Sequence, residues 1–399
     1  MILMGVLFRK DDENEILSLS RTGLSNASNL FQWNVIDGLC SNHGEGIHII
    51  NALPVGTWPN QFKGFFLKSK QWVHRGKQCY ELGCINLPFF KQYMRYRKAK
   101  KAIRQLTESD NEILIYSAYM PFLKAVYRLP SSVKITLIVT DLPEYYDLAK
   151  CTKLRKFLRK LQNRLIYRYM QRIDRFVVLT EQMKEPLHIG ERPYIVLEGI
   201  YAHTAAAAYT RTVPGQSAWT DKKILFYSGT LNYVYGIKTL LDAFTLLKDA
   251  DIALWICGSG EAEEEIKQIS TMDPRIQFFG YLPLEEVQKL RSKASLLINP
   301  RPNTGEYTKY SFPSKTMEYL ASGKPVIMYK LDGIPDSYDA YLNYLTGTDP
   351  RTVSEELQQI FNSDYRDLME KALLGREFVL QKKNEVVQAR RILDLMHCL

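Results

Sequence analysis

No apolar run in this 399-residue chain approaches the roughly 18 residues needed to cross a bilayer. The opening residues, MILMGVLF, are followed at once by RKDDENE. With no basic segment before them and no small-residue cleavage site after, they read as a first β-strand and not as a signal peptide. Cysteine is sparse and scattered (Cys40, Cys79, Cys84, Cys151, Cys257, Cys398), and Cys79 and Cys84 have no second pair to complete a zinc site. That pattern fits a reducing cytoplasm, and no metal site is expected. The six histidines (His43, His48, His74, His188, His203, His397) show no pairing, so none is assigned to catalysis. Gly258 and Gly260 form a GxG without the third glycine of a dinucleotide-binding loop, which counts against a dehydrogenase.

Acid is missing from one stretch and nearly so from another. Lys91–Arg104 holds seven basic residues and no acid, and Lys150–Arg175 holds ten with Asp174 as its single acid. These two carry more than the whole net charge of +10, so the remainder is mildly acidic. Apolar residues at three- and four-residue steps in the second stretch (Leu154, Phe157, Leu158, Leu161, Leu165, Ile166, Tyr169) predict an amphipathic helix with its dry face on a sheet and its wet face cationic. A solvated face is the plain alternative. Such a surface suits anionic lipid at about 1 kcal/mol per basic residue. No groove-reading motif accompanies the charge, so nucleic acid is not an expected partner.

What is present is ordinary globular material, 46% apolar and 24% charged. The length exceeds that at which one core stops growing, so two domains are expected. Short apolar runs alternate with helical stretches: Ile47–Leu53, Glu112–Tyr116, Lys134–Val139 and Arg175–Thr180, then Lys223–Ser228, Ile252–Cys257, Gln277–Phe279, Ser295–Asn299 and Pro325–Met328. This is the pattern of doubly wound parallel α/β sheets. It is interrupted once, at Ile200–Lys222, a small and polar segment containing Pro214-Gly215. The expected division is residues 1–200, a linker over 201–222, a second domain over 223–375, and a terminal helix over 376–399 that packs back on the first domain.

The stretch Ile298–Ile327, INPRPNTGEYTKYSFPSKTMEYLASGKPVI, is the most informative. A buried strand ends in Asn299-Pro300-Arg301-Pro302, a polar loop follows, and Pro313 stands where a helix begins. Ser311 and Ser314 are suited to capping it. The helix stops at Ser322-Gly323, and Pro325-Val326-Ile327 opens the next strand. The helix N-terminus therefore lies at the carboxyl edge of a sheet, where free amides and the helix dipole favour a phosphate. Glu318, about one turn inside, is placed for a ribose, and Lys315 for the phosphates: together they suit a nucleotide diphosphate. Capping serines and a solvated lysine are the bland reading of the same residues.

The second half resembles the donor domain of family 4 glycosyltransferases. FYSGTLNYVYGIKTLLDAF is similar to its first strand, phosphate-side loop and helix; LWICGSGEAEEEI to the next strand and glycine loop; IQFFGYLPLEEVQKLRSKASLLINPRP and PSKTMEYLASGKPVI to the elements that lead into and form the donor-site helix. In the first half, GLSNASNLFQWNVIDGL and RFVVLTEQMKE resemble acceptor-domain elements. The resemblance implies a GT-B architecture of two Rossmann-like domains with the active site in the cleft between them.

It further implies retention of anomeric configuration, no cofactor, a nucleotide-sugar donor (a UDP-sugar is expected) and a glycan or polyprenyl-linked acceptor in surface-polysaccharide assembly. Glu318 matches the second member of the family's glutamate pair. The first falls on Tyr310, and the usual phosphate-loop cations near Thr230 and Tyr235 are missing. Lys315, helped by Arg301 or Lys309, is the expected replacement, beside Gly229, Thr230, Ser311 and Ser314. In the first domain Gly23, Ser25 and Asn26 either face the cleft or cap the Leu30–Leu39 helix. Asp141 either meets the acceptor hydroxyl or serves its Leu-Pro turn. The expected location is the inner face of the cell membrane, reached through Lys91–Arg104 and Lys150–Arg175. The alternatives are a non-catalytic nucleotide-binding relative and a basic protein that binds nucleic acid or membrane.

Overall fold

In the computed structural model, which describes residues 1–22, 24–42, 46–107, 110–145, 153–202 and 222–398, the chain divides into two units. One comprises Met1–Ile200 with Glu385–Leu399, the other Tyr201–Asn384. Residues 203–221 of the expected linker, and Cys151, His43, His203 and Gly23, lie outside the described residues.

The strands of the first unit are β1 (Ile2–Gly5), β2 (His48–Asn51), β3 (Phe66–Leu67), β4 (Lys70–His74), β5 (Lys77–Glu81), β6 (Cys84–Ile85), β7 (Glu112–Tyr116), β8 (Lys134–Val139), β9 (Arg175–Val178) and β10 (Tyr194–Val196). Eight of them form one sheet in the order β10-β9-β8-β7-β1-β2-β5-β4, parallel except for β4. Runs such as ILIY and TLIV can be apolar throughout because helices cover both faces. From β1 the chain moves to β2 on one side and later to β7 on the other. Gly5 and Tyr116 therefore end neighbouring strands at a topological switch point.

The helices are α1 (Glu13–Leu19), α2 (Asn26–Asn42), α3 (Phe90–Leu106), α4 (Met120–Val126) and α5 (Lys153–Met170). α2 begins four residues before the expected Leu30, so Asn26 is its first residue. The antiparallel β4–β5 hairpin had no counterpart in the sequence reading. It turns at Arg75-Gly76, both with positive φ (47° and 76°), as a two-residue hairpin requires.

Two features of the basic stretches differ from expectation. Lys91 and Arg95 are buried: Lys91 Nζ donates to the carbonyls of Val55 and Gly56, and Arg95 donates to Tyr119 Oη (2.9 Å) and Leu53 O (2.7 Å). Arg175 is buried against Glu112 (2.8 Å), and Arg172 pairs with Asp174 (2.9 Å). These four cations are structural. On α5, Ile166 and Met170 face the core, but Phe157, Leu158 and Leu161 are exposed. An 18-residue helix spans about 27 Å, whereas the six-residue β8 spans about 20 Å, so the first turns of α5 overhang the sheet.

The second unit holds β11 (Lys223–Thr230), β12 (Ile252–Ser259), β13 (Ile276–Phe278), β14 (Leu296–Asn299), β15 (Val326–Tyr329) and β16 (Asn343–Leu345) in one parallel sheet, ordered β13-β12-β11-β14-β15-β16. Its helices are α6 (Ile237–Leu246), α7 (Glu263–Met272), α8 (Leu284–Lys293), α9 (Ser314–Ala321), α10 (Pro350–Asn362) and α11 (Tyr365–Lys382). The switch point falls between β11 and β14. The terminal helix expected over 376–399 is two elements. Residues 376–382 complete α11, and α12 (Glu385–His397) belongs to the first unit, where Gly38 lets it close on α2: a Cβ there would lie 2.0 Å from Glu385 O.

Candidate active site

The carboxyl ends of β11 and β14 are brought together by glycines. Gly236 (φ 79°) follows the β11 loop, and a Cβ on it would lie 2.0 Å from Pro300 O, so the two loops pack backbone to backbone. Gly258 (φ 144°) pairs with Gly229 across β12 and β11, and its Cβ would lie 1.8 Å from Gly229 O. The GxG of Gly258 and Gly260 thus has a packing reason.

α9 starts where the sequence placed it, with Pro313 at the N-cap position, but no side chain caps it. Ser311 instead accepts a hydrogen bond from Arg301 Nη2 (2.9 Å), and Ser314 is an exposed first-turn residue. Both serines thereby depart from the expected capping role. An uncapped helix start leaves amide donors and the positive dipole end for a ligand.

Around that start, Lys315 Nζ lies 3.6 Å from Glu318 Oε2, each side chain one-third exposed. A Cβ on Gly229 would meet Lys315 Cε at 3.6 Å, an ordinary contact, and Tyr227 Oη at 2.8 Å, so a larger residue at 229 would displace the Tyr227 hydroxyl. Arg291 of α8 was not a candidate from sequence. It is 1% exposed, and its guanidinium reaches Glu318 Oε2 (3.7 Å) and Glu318 O (3.5 Å) while lying over the Tyr319 ring (5.7 Å). Tyr319 Oη in turn accepts from Ser228 N–H (3.1 Å) and donates to Ser228 O (3.3 Å), tying α9 to the residue before Gly229.

Arg301 lies over two tyrosine rings, Tyr307 (5.0 Å) and Tyr235 (5.7 Å), and its Nε has no hydrogen-bond partner among the described residues. The cation is thus set between aromatics at the mouth of the β14 loop. Lys309 and Tyr310 close the 3₁₀ turn Glu306–Tyr310. Thr230 ends β11 exposed, and its carbonyl accepts from Tyr227 Oη (2.9 Å).

In the first unit the β1 switch point is strapped by polar side chains. Gln32 Oε1 accepts from Val6 N–H (2.7 Å), Asn51 Oδ1 from Leu7 N–H (2.9 Å) and Asn29 Oδ1 from Phe8 N–H (2.9 Å). Ser25 and Asn26 are exposed beside this loop, and Ser25 O accepts from Asn29 N–H (3.0 Å). Two residues absent from the sequence reading meet here: Ser28 Oγ and Tyr116 Oη are 3.1 Å apart. Burial pushes the Tyr116 phenol up to about 12, and the nearby Asp141 charge adds to the rise.

Asp141, past the end of β8, accepts from Thr140 Oγ1 (3.2 Å), and desolvation raises its carboxyl above the usual range. Beyond β2 and β5 the same edge holds a cavity of about 310 Å³ with Ile16, Phe62 and Phe66 on its walls and the buried Glu81 at the strand end. Desolvation raises the Glu81 carboxyl, whose oxygen accepts from Asn51 Nδ2 (3.3 Å). Among the described residues no three His, Cys, Asp or Glu side chains converge to hold a metal ion.

Known proteins resemble the second unit in sequence and the whole chain in fold. Residues 222–363 match the family described as glycosyl transferases group 1. Among solved structures, a glycosyltransferase from Rickettsia africae ESF-5 superposes with a TM-score of 0.65 at 13% identity, covering 99% of this chain and 97% of that one. Anabaena HepE in complex with UDP gives 0.64 at 10%, covering 100% of each chain. The lipopolysaccharide outer core galactosyltransferase WaaB gives 0.63 at 12%, covering 99% of each. These likenesses establish the fold, which is GT-B. No curated protein matches the chain by sequence. Within the matched segment, Gly229, Arg301, Ser311, Lys315 and Glu318 gather at the switch point, where a doubly wound sheet takes its ligand.

Proposed function

We propose that the chain is a retaining glycosyltransferase of the family 4 type. In this reading it moves a hexose from a UDP-sugar to a glycan or polyprenyl-linked acceptor during surface-polysaccharide assembly, and uses no metal. The observation that carries it is the Lys315–Glu318 pair on the uncapped first turns of α9, at the switch point of the matched segment. HepE, which shares the fold, binds UDP, and WaaB is a lipopolysaccharide galactosyltransferase; both lend support to the donor and the pathway.

Transfer breaks the bond between the sugar C1 and the diphosphate, whose oxygens gain negative charge as it leaves. Fixed donors aimed at that charge are the main catalytic resource of such a site. The α9 amides, Lys315 and Arg301 supply them. Glu318 accepts from the ribose hydroxyls, and Arg291 holds its carboxylate in place. On the first unit, Asp141, past the end of β8, accepts a hydrogen bond from the acceptor hydroxyl. The cavity beside Glu81, part apolar and part carboxylate, suits a sugar ring of the acceptor.

Lys91–Arg104 and Lys150–Arg175 hold the protein on the inner face of the cell membrane. Among the described residues no helix is long and apolar enough to cross a membrane, so this contact is peripheral in the proposal. A second reading, a nucleotide-binding relative without transfer activity, is favoured by Tyr310 in place of a carboxylate. Thermal unfolding with saturating UDP, GDP or ADP tests both. At a hundredfold excess over Kd, a ligand adds about 2.7 kcal/mol. A shift with UDP alone that Glu318→Ala abolishes supports the donor site. Binding without turnover across donors and acceptors selects the second reading, and no shift with any nucleotide overturns both.

A further inference from the structure

The two cation-rich stretches are distant in sequence but neighbours in the fold. α3, α4 and α5 connect strands that succeed one another in the same direction across the sheet, so right-handed crossovers put all three on one face. Lys124 of α4 lies over Tyr96 of α3 (4.7 Å), and Tyr127, next to α4, packs on Tyr169 of α5 (5.1 Å). None of the three helices contains an Asp or Glu. Exposed cations remain on the outer pair: Arg97, Lys101 and Arg104 on α3, and Lys156, Lys160, Arg164 and Arg168 on α5.

The leading turns of the same two helices expose large apolar side chains. Phe89 is 82% exposed, Phe90 58% and Phe157 66%, with Leu158 and Leu161 close to half. Phe89 also holds φ at +64° with ψ at −49°, the centre of a γ-turn closed by Phe90 N–H on Pro88 O (2.8 Å) and a strained conformation for a non-glycine residue. α3 and α5 each run back from the carboxyl edge of the sheet to its amino edge, so both apolar ends lie at the carboxyl edge. Apolar tips beside an acid-free cationic layer are the features of an interfacial membrane surface.

We infer that this end of the helix layer inserts into an anionic bilayer, with Phe89, Phe90, Phe157 and Leu161 among the acyl chains and the α3 and α5 cations on the lipid headgroups. This deepens the peripheral contact proposed above and rests on it. A lipid-linked acceptor would then reach the carboxyl edge of the first unit without leaving the membrane.

The test is co-sedimentation of the full chain with vesicles of phosphatidylcholine alone and of phosphatidylcholine mixed with phosphatidylglycerol, at low and high salt, with single-stranded DNA as competitor. All four apolar positions are exposed, so Phe89→Ser with Phe90→Ser, and Phe157→Ser with Leu161→Ser, are compatible with folding. The expected result is binding to the anionic vesicles with a fraction that survives high salt. Each double variant should lower partitioning about tenfold and remove that fraction. Wild-type binding by both variants, fully reversed by salt, would overturn insertion while leaving electrostatic contact standing. No vesicle binding, or complete displacement by DNA, would overturn both.

Discussion

The buried guanidinium of Arg291 grips Glu318 twice, at the carboxylate (3.7 Å) and at the main-chain carbonyl (3.5 Å). Glu318 is one-third exposed and Arg291 almost fully buried, so the pair has a fixed side and an open side. Lys315 meets the same Oε2 from the open side. The carboxylate therefore stands between a buried guanidinium and a partly exposed ammonium.

Arg291 should act on nucleotide affinity through Glu318. Arg291→Lys keeps the charge but loses the fork that reaches both oxygens. UDP affinity should fall about tenfold, and a double-mutant cycle with Glu318→Gln should return a coupling of about 0.5–3 kcal/mol. Calorimetric titration of the four proteins measures it. Additive effects would mean that Arg291 serves packing alone.

Lys315→Ala should lower kcat by about 10²–10³ if the ammonium faces the leaving diphosphate, the loss typical of a preorganised donor. Circular dichroism should be unchanged, because the side chain is one-third exposed. Full activity in this variant would remove Lys315 from the site and leave Arg301 as the candidate cation.

Much of this was legible in the sequence, and the exceptions have physical causes. α9 announced itself through Pro313 at one end and Ser322-Gly323 at the other, and the strand–helix alternation gave both sheets. Arg291 was hidden because LEEVQKLRSK reads as a solvent-facing helix; its burial comes with its guanidinium reaching Glu318 and lying over the Tyr319 ring, contacts between residues far apart in sequence. The Ser311 hydroxyl was expected to cap because serines do, but a nearby guanidinium competed for it. The α5 periodicity was visible, yet which apolar residues stay dry depends on helix length against sheet width, a tertiary quantity. β4 has no buried side chain, and the β4–β5 hairpin turns on Arg-Gly, a weaker signal than Asn-Gly.

Gly258→Ala should destabilise the second unit by more than the usual glycine effect. Its φ of 144° is unfavourable to a side chain, and the new Cβ would fall 1.8 Å from Gly229 O. Strain of about 1–3 kcal/mol follows from the backbone alone. Gly280→Ala (φ 66°), with nothing within 4 Å of its Cβ, controls for positive φ without crowding. Tm should fall further for Gly258→Ala, and UDP binding with it, since Gly229 must shift. Equal Tm losses would show that crowding at Gly229 is absorbed.

Lys91 is buried with main-chain carbonyls as its partners and no carboxylate among the described residues. Desolvation, and secondarily the neighbouring Arg95 charge, lowers its pKa from 10.5 to about 7, while its Nζ donates to the Val55 and Gly56 carbonyls. Between about pH 7 and 10.5 the unfolded chain holds a proton on this lysine that the folded chain has released. The unfolded state therefore binds more protons, and stability rises with pH across that window, by at most about 1.4 kcal/mol per unit. The contribution is complete above 10.5 and is lost as pH falls through about 7. Urea unfolding of the first unit's signal at pH 7 and pH 9 should show the gain in wild type. Lys91→Met, which cannot titrate, should show a smaller one even if losing two hydrogen bonds lowers its absolute stability. Equal pH slopes in the two proteins would mean that Lys91 stays charged in the fold and that water reaches Nζ.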